Sequence, residues 1–577
     1  MNAGASGSPV LTVLVEDLLR SDPGSPAVIE VGERPRTLSR AELAAEADRV
    51  SAALLSLGVE PGESVAFQLP NWAECVSVIL GVMQIGAVVA PIMPVFGARE
   101  VAMVLSRSKA RVLVLPESFR GRAHAAEFPA VAAEASARDL PLLVEHVLVV
   151  GARDPHGELR AGAVARPDPH GAPDATDVEW HDFDGVLAAA EVDAAAIATR
   201  RPGSDDVAQL LFTSGTTGEP KGVQHAHRSL AEATALEVAH LGLTGDDRVY
   251  IPSPLAHQTG FLYGLLVSWR LGTAAVVQPI WDARAALEQA FGQAGAGFVQ
   301  AATPFLMDLV EAVEAGAPAP ASLRIFVATG AAVPRELAER ATRVLDTAVC
   351  GAFGTTETCL GTLSAPDDPP ASAWGSDGRP LVGIGLRIVD DDGTELPPGR
   401  EGHYELNSPT MFLGYLDRPD LTAEVFTADG WYKTGDLGIL DAEGFLHITG
   451  RVKDVINRGG EKVPVVEIEN LLFAHPSVRD VAVVAMPDER LGERACAFVV
   501  TADGASAPLD FGEMQAFLAG ANVSKYYWPE RLETIEALPR NPVGKIQKNL
   551  LRERVAALVE SERAAGAPPS ARESASA

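Results

Sequence analysis

Short β-branched runs alternate with Ala/Leu/Glu-rich stretches of helical length along most of this 577-residue chain, and that alternation leaves few architectures open. Ser64–Leu69 and Ala110–Leu115 read as strands, Leu38–Leu57 and Arg99–Ser108 as helices. Such a pattern predicts α/β units built on parallel sheets with helices against their faces. Length alone suggests about three or four domain-sized units. With 47% hydrophobic and 21% charged residues, the chain is neither disordered, collagenous nor a coiled coil. Its 47 basic residues face 77 acidic ones, a net charge of −30. A chain so acidic lacks the basic footprint of a nucleic-acid binder and has no attraction to anionic membranes. Any anion site must therefore be assembled from local cations and backbone amides.

From Cys75 to Gly97 no residue is charged, a length that could span a bilayer. Gly81, Gln84, Gly86, Pro91 and Pro94 interrupt it. The preferred reading is a buried helix to about Gly86 followed by a buried strand and turn, with no membrane span. The N-terminus has no basic region, and Glu16 and Asp17 break the apolar stretch that follows, so no signal peptide is expected. Four cysteines without a Cys-x-x-Cys pair predict a reduced, cytoplasmic chain. Residues 1–8 and 564–577 read as frayed ends, and 151–178, rich in Gly, Pro, Asp and His, as a surface insertion. After Pro380 the pattern changes to short strands with Asp392-Gly393 and Asp429-Gly430 turns, which predicts a small β-rich unit over about 381–450. From Asp454 to Val559 a smaller α/β unit follows, and no repeat of fixed period is present.

Only 8 of the 47 basic residues are lysine, and six of these (Lys221, Lys433, Lys453, Lys462, Lys545 and Lys548) fall in or beside Gly-rich loops. A compact ammonium suits phosphate differently from a planar guanidinium. The strand pattern Val207–Phe212 runs into Thr213-Ser214-Gly215-Thr216-Thr217-Gly218-Glu219-Pro220-Lys221-Gly222, and a helical stretch opens near Arg228. Hydroxyls, backbone amides and a lysine in a strand–loop–helix setting can wrap phosphate oxygens. The loop is not a Walker A sequence, because Gly222 follows Lys221. A dinucleotide fingerprint is also absent, since Ile388 stands where the third glycine after Gly383 and Gly385 would be.

Further segments follow in order: Gly351-Ala352-Phe353-Gly354-Thr355-Thr356-Glu357, Trp431-Tyr432-Lys433-Thr434-Gly435-Asp436, Gly450-Arg451-Val452-Lys453-Asp454 with Gly459-Gly460-Glu461-Lys462, and Asn541-Pro542-Val543-Gly544-Lys545. With the phosphate loop, this series resembles the adenylate-forming (AMP-dependent) synthetases and ligases, which include acyl-CoA synthetases, amino-acid adenylation domains and luciferases. The resemblance implies a large N-terminal domain (1–452) of two sheet-based α/β lobes plus the β-rich subdomain. A mobile C-terminal α/β lid (453–563) and a disordered tail (564–577) complete the expected architecture. It implies ATP, Mg²⁺ and coenzyme A as reactants and cofactors. Thr213, Ser214, Gly215, Thr216, Thr217 and Lys221 would hold the β- and γ-phosphates, Glu357 would ligate Mg²⁺, and Thr356 would contact the α-phosphate. Phe353 would stack on adenine beside Gly330, Ala331 and Ala332. Asp436 would accept from the ribose hydroxyls, with Arg451 adding donors. Lys545 would bridge the acid carboxylate and the α-phosphate. Lys453 would be the pivot about which the lid turns, bringing Gly459, Gly460 and Glu461 to the thiol tunnel. Alone, Phe353 is ordinary core packing, Asp436 a turn-former and Lys453 a solvated linker charge. Their places in the motifs give them these roles.

The stretch Pro252–Phe261 aligns with the family's gate and acid-pocket motif, with His257, Gln258 and Phe261 as pocket residues. Gln258 stands where amino-acid-activating relatives carry an aspartate, so an α-amino acid is disfavoured. The amide at Gln258 and the run Ile456–Lys462 resemble ligases for aryl acids, while His257–Phe261 with Trp281-Asp282 resembles ligases for cyclohexane carboxylate and related alicyclic or medium-chain acids. A cyclic, aryl or medium-chain acid is therefore expected, converted to its CoA thioester. The rival readings are a stand-alone enzyme loading a separate carrier protein, and a non-catalytic nucleotide binder. The second is disfavoured because Lys545, Glu357 and Asp436 occur together.

Overall fold

Two large sheets, mainly parallel, share one layer of helices between them in the computed structural model, which describes residues 10–32, 35–151, 178–213, 220–330, 333–459, 461–541 and 544–564. One sheet has eight strands, running from Gly414–Tyr415 through Lys221–Ala226, Val207–Thr213, Val88–Pro91, Ser64–Phe67, Val112–Pro116 and His146–Val150 to Glu179–Asp182. The other has nine, with Arg248–Ile251, Ala296–Ala302, Ile325–Thr329 and Ala348–Thr355 near its centre. Strand parity shows how they stack. Val65 and Phe67 join the shared core while Ala66 faces the outer helices. Val249 and Ile251 join the same core while Tyr250 faces outward. The helices Arg40–Ser56, Ala73–Gln84 and His227–Leu241 fill the shared layer.

The first of these helices begins at a capping box, with the Ser39 side chain accepting from Glu42 N and Glu42 accepting from Ser39 N. It crosses Ala73–Gln84 closely at Gly81, where a Cβ would lie 2.7 Å from Val50 Cβ. The uncharged segment is thus helix Ala73–Gln84 and buried strand Val88–Pro91, as its glycines and prolines predict. Among the described residues no helix is long and apolar enough to cross a membrane. The four cysteines are free and buried.

One local expectation fails. After the phosphate loop the chain forms a second strand, Lys221–Ala226, before helix His227–Leu241 begins. The loop therefore joins an antiparallel pair, with Thr213 opposite Lys221. The segment Gly222-Val-Gln-His-Ala is too short and polar to read as a strand alone. It is held by pairing on both sides, the second partner being the distant Gly414–Tyr415.

The β-rich unit is a four-stranded antiparallel sheet, Gly385–Val389, Glu401–Asn407, Tyr432–Leu440 and Leu446–Arg451. The C-terminal unit is a sheet of five strands with helices on both faces. Val481, Val483 and Val499 pack toward Val465–Phe473 and Phe511–Gly520, and Ala482, Val484 and Phe498 toward Lys548–Ala564. The expected insertion core (152–177) and the terminal segments 1–9 and 565–577 lie outside the described residues.

Candidate active site

Strand Lys221–Ala226 brings the phosphate-loop lysine to the edge formed by Gly414–Tyr415. Lys221 Nζ lies 4.6 Å over the Tyr415 ring. The Tyr415 hydroxyl donates to Glu357 Oε1 at 2.8 Å. Burial and the Glu357 charge hold that phenol above its ordinary range, so it stays a donor. Tyr415 also belongs to an aromatic cluster with Phe412 and Tyr432. Sequence reading missed Tyr415. Its only local signal is the dipeptide Gly414-Tyr415, and its role arises from strand pairing.

The turn carrying Thr356 and Glu357 is fixed from below. His225 Nε2 donates to the Thr356 carbonyl at 2.6 Å, and burial pushes this imidazole down to about 4, so it is neutral. Thr355 N and Thr358 N each donate to the other residue's hydroxyl, at 3.1 and 3.2 Å. Thr213 lies opposite Lys221, and Gly330 ends strand Ile325–Thr329 with a φ of +88°. Ser214, Gly215, Thr216, Thr217, Ala331, Ala332 and Gly460 lie outside the described residues. Glu357 offers a hard oxygen donor of the kind Mg²⁺ takes, and it accepts from the Tyr415 hydroxyl whose ring lies under Lys221. Tyr415→Phe removes one hydrogen bond to that carboxylate, worth ~1.5–3 kcal/mol. The expected result is a rise of about 10-fold in the Mg²⁺ concentration giving half-maximal ATP turnover, read from rates at fixed ATP.

Asp436 and Arg451 are cross-strand neighbours in the β-rich sheet, with Arg451 Nε 2.9 Å from Asp436 Oδ1. Asp436 is only 3% exposed, and its Oδ2 has no hydrogen-bond partner among the described residues. Burial raises its carboxyl, against the pull of Arg451 and Lys545. Phe353 meets Tyr404 edge to face at 5.0 Å.

Lys545 enters from the C-terminal unit. Asn541 N donates to the Lys545 carbonyl at 2.8 Å, and Lys545 N to Asn541 Oδ1 at 2.9 Å. Gly544, at φ +87°, completes this turn, a conformation that favours glycine. A Cβ there would lie 3.4 Å from Ala302 Cβ, so the turn sits against the large domain. Burial, and after it Arg451, lowers the Lys545 ammonium to about 8, while Asp436 and Asp454 oppose that. Two hydrogen bonds from Arg479 to Glu311, at 3.1 and 2.9 Å, tie the same units together.

His257 lies close enough to Lys545 to feel its charge. Burial chiefly, and that charge, push the imidazole down to about 4. Thr259 N donates to His257 Nδ1 at 3.2 Å, which leaves the ring proton on Nε2. Gln258 is 3% exposed, and neither end of its amide has a partner among the described residues. Phe261 is wholly buried, at the start of a π-helical turn, Phe261–Leu266, of the kind often found at functional sites. Further buried polar side chains without a partner among the described residues escaped sequence reading, including Gln300, on the strand against which Gln258–Gly260 packs, and Glu237, in helix His227–Leu241. No sequence signal marks them, since polar residues inside apolar runs are ordinarily read as solvent-facing.

The structure thus brings Lys221, Glu357, Asp436, Arg451, Lys545 and His257 into one neighbourhood. It does not bring the proposed thiol loop there. Gly459 N donates to the Leu491 carbonyl at 2.9 Å, Glu461 is exposed, and Lys453 is exposed in the 3₁₀ turn Val452–Asp454.

A two-lobed α/β body followed by a β-rich sheet and a smaller C-terminal α/β unit is the architecture of the adenylate-forming enzymes. The chain belongs to the AMP-binding enzyme family: the model of the AMP-binding enzyme matches residues 15–416, and that of the AMP-binding enzyme C-terminal domain matches 467–545. Lys453 falls in the interval between them. The medium-chain fatty-acid–CoA ligase of Escherichia coli is 35% identical over 502 residues, 86% of this chain and 82% of that protein. The 3-[(3aS,4S,7aS)-7a-methyl-1,5-dioxo-octahydro-1H-inden-4-yl]propanoyl:CoA ligase of Rhodococcus jostii is 33% identical over 88% of this chain and 92% of its own. The ATP-bound crystal structure of MatB from Rhodopseudomonas palustris superposes with a TM-score of 0.80 at 27% identity, covering 95% of this chain and all of that one.

Proposed function

We propose that this enzyme is an AMP-forming acid–CoA ligase whose acid is a medium-chain or ring-bearing carboxylic acid with a polar substituent. The carboxylate oxygen attacks the α-phosphorus of ATP and pyrophosphate leaves. The sulfur of coenzyme A then attacks the acyl carbon and AMP leaves. Catalysis of the first step is chiefly positioning and charge stabilisation. Lys221 neutralises the outgoing phosphates and Asp436 holds the ribose through its free Oδ2. Phe353 offers its face to adenine, and Thr356 borders the α-phosphate. Bound at Glu357, Mg²⁺ would add cationic stabilisation of the phosphate oxygens.

The observation that carries this reading is the position of Lys545. Its charge is felt by Asp436 and His257 and it feels that of Arg451, so one ammonium there could offset the repulsion between acid and α-phosphate. Uncharged His257 can border the acid without competing for its charge. A half-buried Lys545 with Gly459 and Glu461 exposed is the arrangement that would suit adenylation. Turning about Lys453, taken as the boundary between 1–452 and 453–563, would exchange them for the thiol step. The two CoA ligases named above match this chain over 86% and 88% of its length, which favours CoA over a carrier protein as the acceptor. Free buried thiols favour a reducing compartment, in keeping with a cytoplasmic enzyme.

The test is mass spectrometry of products from ATP, Mg²⁺, CoA and a pool of straight-chain, alicyclic and aryl acids. New acyl-CoA masses are expected. Acyl-adenylate without acyl-CoA would overturn the thioester step.

The acid's polar substituent is read from Gln258. A buried amide without partners costs ~1–3 kcal/mol, which a substrate hydrogen bond would remove. Gln258→Leu is therefore expected to raise the melting temperature by several degrees. It should also shift kcat/KM at least about 10-fold toward unsubstituted hydrocarbon acids. Paired melting curves and a substrate panel would check both.

A further inference from the structure

His146, Glu179 and His181 come together at the edge of the eight-stranded sheet, far from the site described above. In parallel register His146 lies opposite Glu179 and Leu148 opposite His181. Parity puts all three on one face. Trp180 packs on the other face, edge-on to Phe128 at 5.6 Å, while Leu148 joins the shared core. His146 Nδ1 and His181 Nε2 are 3.2 Å apart. Glu179 Oε2 lies 3.5 Å from the first and 3.8 Å from the second. The side chains of His146 and His181 are 16% and 21% exposed, and that of Glu179 68%.

We propose that these three side chains form a zinc site, with His146 Nδ1, His181 Nε2 and Glu179 Oε2 as ligands and water in the fourth position. Donor atoms in a tetrahedron about Zn²⁺, at bonds of roughly 2.0–2.1 Å, stand about 3.3–3.4 Å apart. The three separations already approach that triangle, so small side-chain rotations suffice. Two imidazoles and a carboxylate are donors that zinc accepts, while Mg²⁺ and Ca²⁺ prefer all-oxygen sets. Without metal, one ring must direct its N–H at the other ring's nitrogen. Binding moves that proton to the far nitrogen of the same ring, a change of tautomer without net ionisation.

The site is separate from the nucleotide site. Six strand spacings divide Glu179–Asp182 from Lys221–Ala226, about 29 Å at ~4.8 Å each. Its effect is structural. Among the described residues Glu179–Asp182 is an edge strand paired on one side only, and the metal would clamp it to its neighbour. His146 and His181 are distant in sequence, so no local motif announces them.

The test uses the full chain stripped of metal by chelator, then titrated calorimetrically with Zn²⁺ and, in parallel, with Co²⁺ followed by visible absorption. One tight equivalent of zinc and the intense visible bands of tetrahedral Co²⁺ are expected. His146→Ala with His181→Ala should weaken zinc binding about 100-fold or more and abolish the bands. Glu179→Gln, at an exposed position, should weaken it about 10-fold and serves if the double variant does not fold. Adenylation rates should be unchanged in all variants. Absence of the Co²⁺ bands in the unsubstituted chain, or equal zinc affinity and stoichiometry in these variants, would overturn the site and leave only a histidine pair sharing a proton.

Discussion

Lys545→Ala is expected to lower acid-dependent exchange of pyrophosphate into ATP by about 10²–10³-fold, the scale of removing one preorganised charge-stabilising donor. Formation of thioester from supplied acyl-adenylate and CoA should stay within a few-fold, because that step needs the lid turned away. The turn that holds Lys545 is built from Asn541 and Gly544, so the truncation leaves the fold intact. Equal loss in both half-reactions would show that Lys545 acts through folding or lid docking instead. The pH dependence has a definite sign. Only the ammonium form can bridge two anions, and burial with Arg451 lowers Lys545 to about 8. Adenylation kcat/KM should therefore fall as pH rises through about 8, since this parameter reports the free enzyme. The limb in kcat should lie higher, because bound acid and phosphate favour the charged form. Lys545→Arg, which does not titrate in this range, should abolish the limb whatever activity it retains.

Asp436→Asn should weaken ATP binding about 100-fold while changing the melting temperature little. The carboxylate can accept charge-assisted hydrogen bonds from ribose hydroxyls, each worth ~1.5–3 kcal/mol. The amide keeps the shape but not the charge. It also leaves Arg451 without its anion, although Arg451 is more than one-third exposed and water can solvate it. Isothermal titration with ATP, with acid absent, isolates this loss from catalysis. An unchanged dissociation constant would remove Asp436 from the nucleotide site.

The candidate site could be named from the sequence because phosphate chemistry would leave local marks. Glycines, hydroxyls and a lysine that wrap one ligand must be close in sequence, the pattern that Thr213–Gly222 offers. Asp436 and Arg451 were legible as motifs, but only the antiparallel register reveals them as a pair. Tyr415, His225 and Gln300 were not legible, because each gains meaning from a strand or turn remote in the chain. Strand Lys221–Ala226 was missed for the same reason: its pairing partners, not its own propensity, make it a strand. The α/β alternation and the Asp-Gly turns were read correctly, since periodicity and turn chemistry are local properties. The roles of Ser214, Thr216 and Thr217 rest on the motif alone.

The position of the first two strands has a consequence for how the chain reaches this state. Pro26–Glu30 and Arg36–Ser39 do not join the sheet built by the strands that immediately follow them. They close the edge of the nine-stranded sheet, where Val28 pairs with Ala275. The two strands can pair with each other at once, but Pro26–Glu30 must wait for its second partner, Ala275–Val277, made much later, while the intervening segment builds the other lobe. Topology of this kind makes folding slow and leaves an unpaired edge exposed to association in the meantime. The two lobes are interlaced at the start of the chain, so neither can be cut away as an independent module.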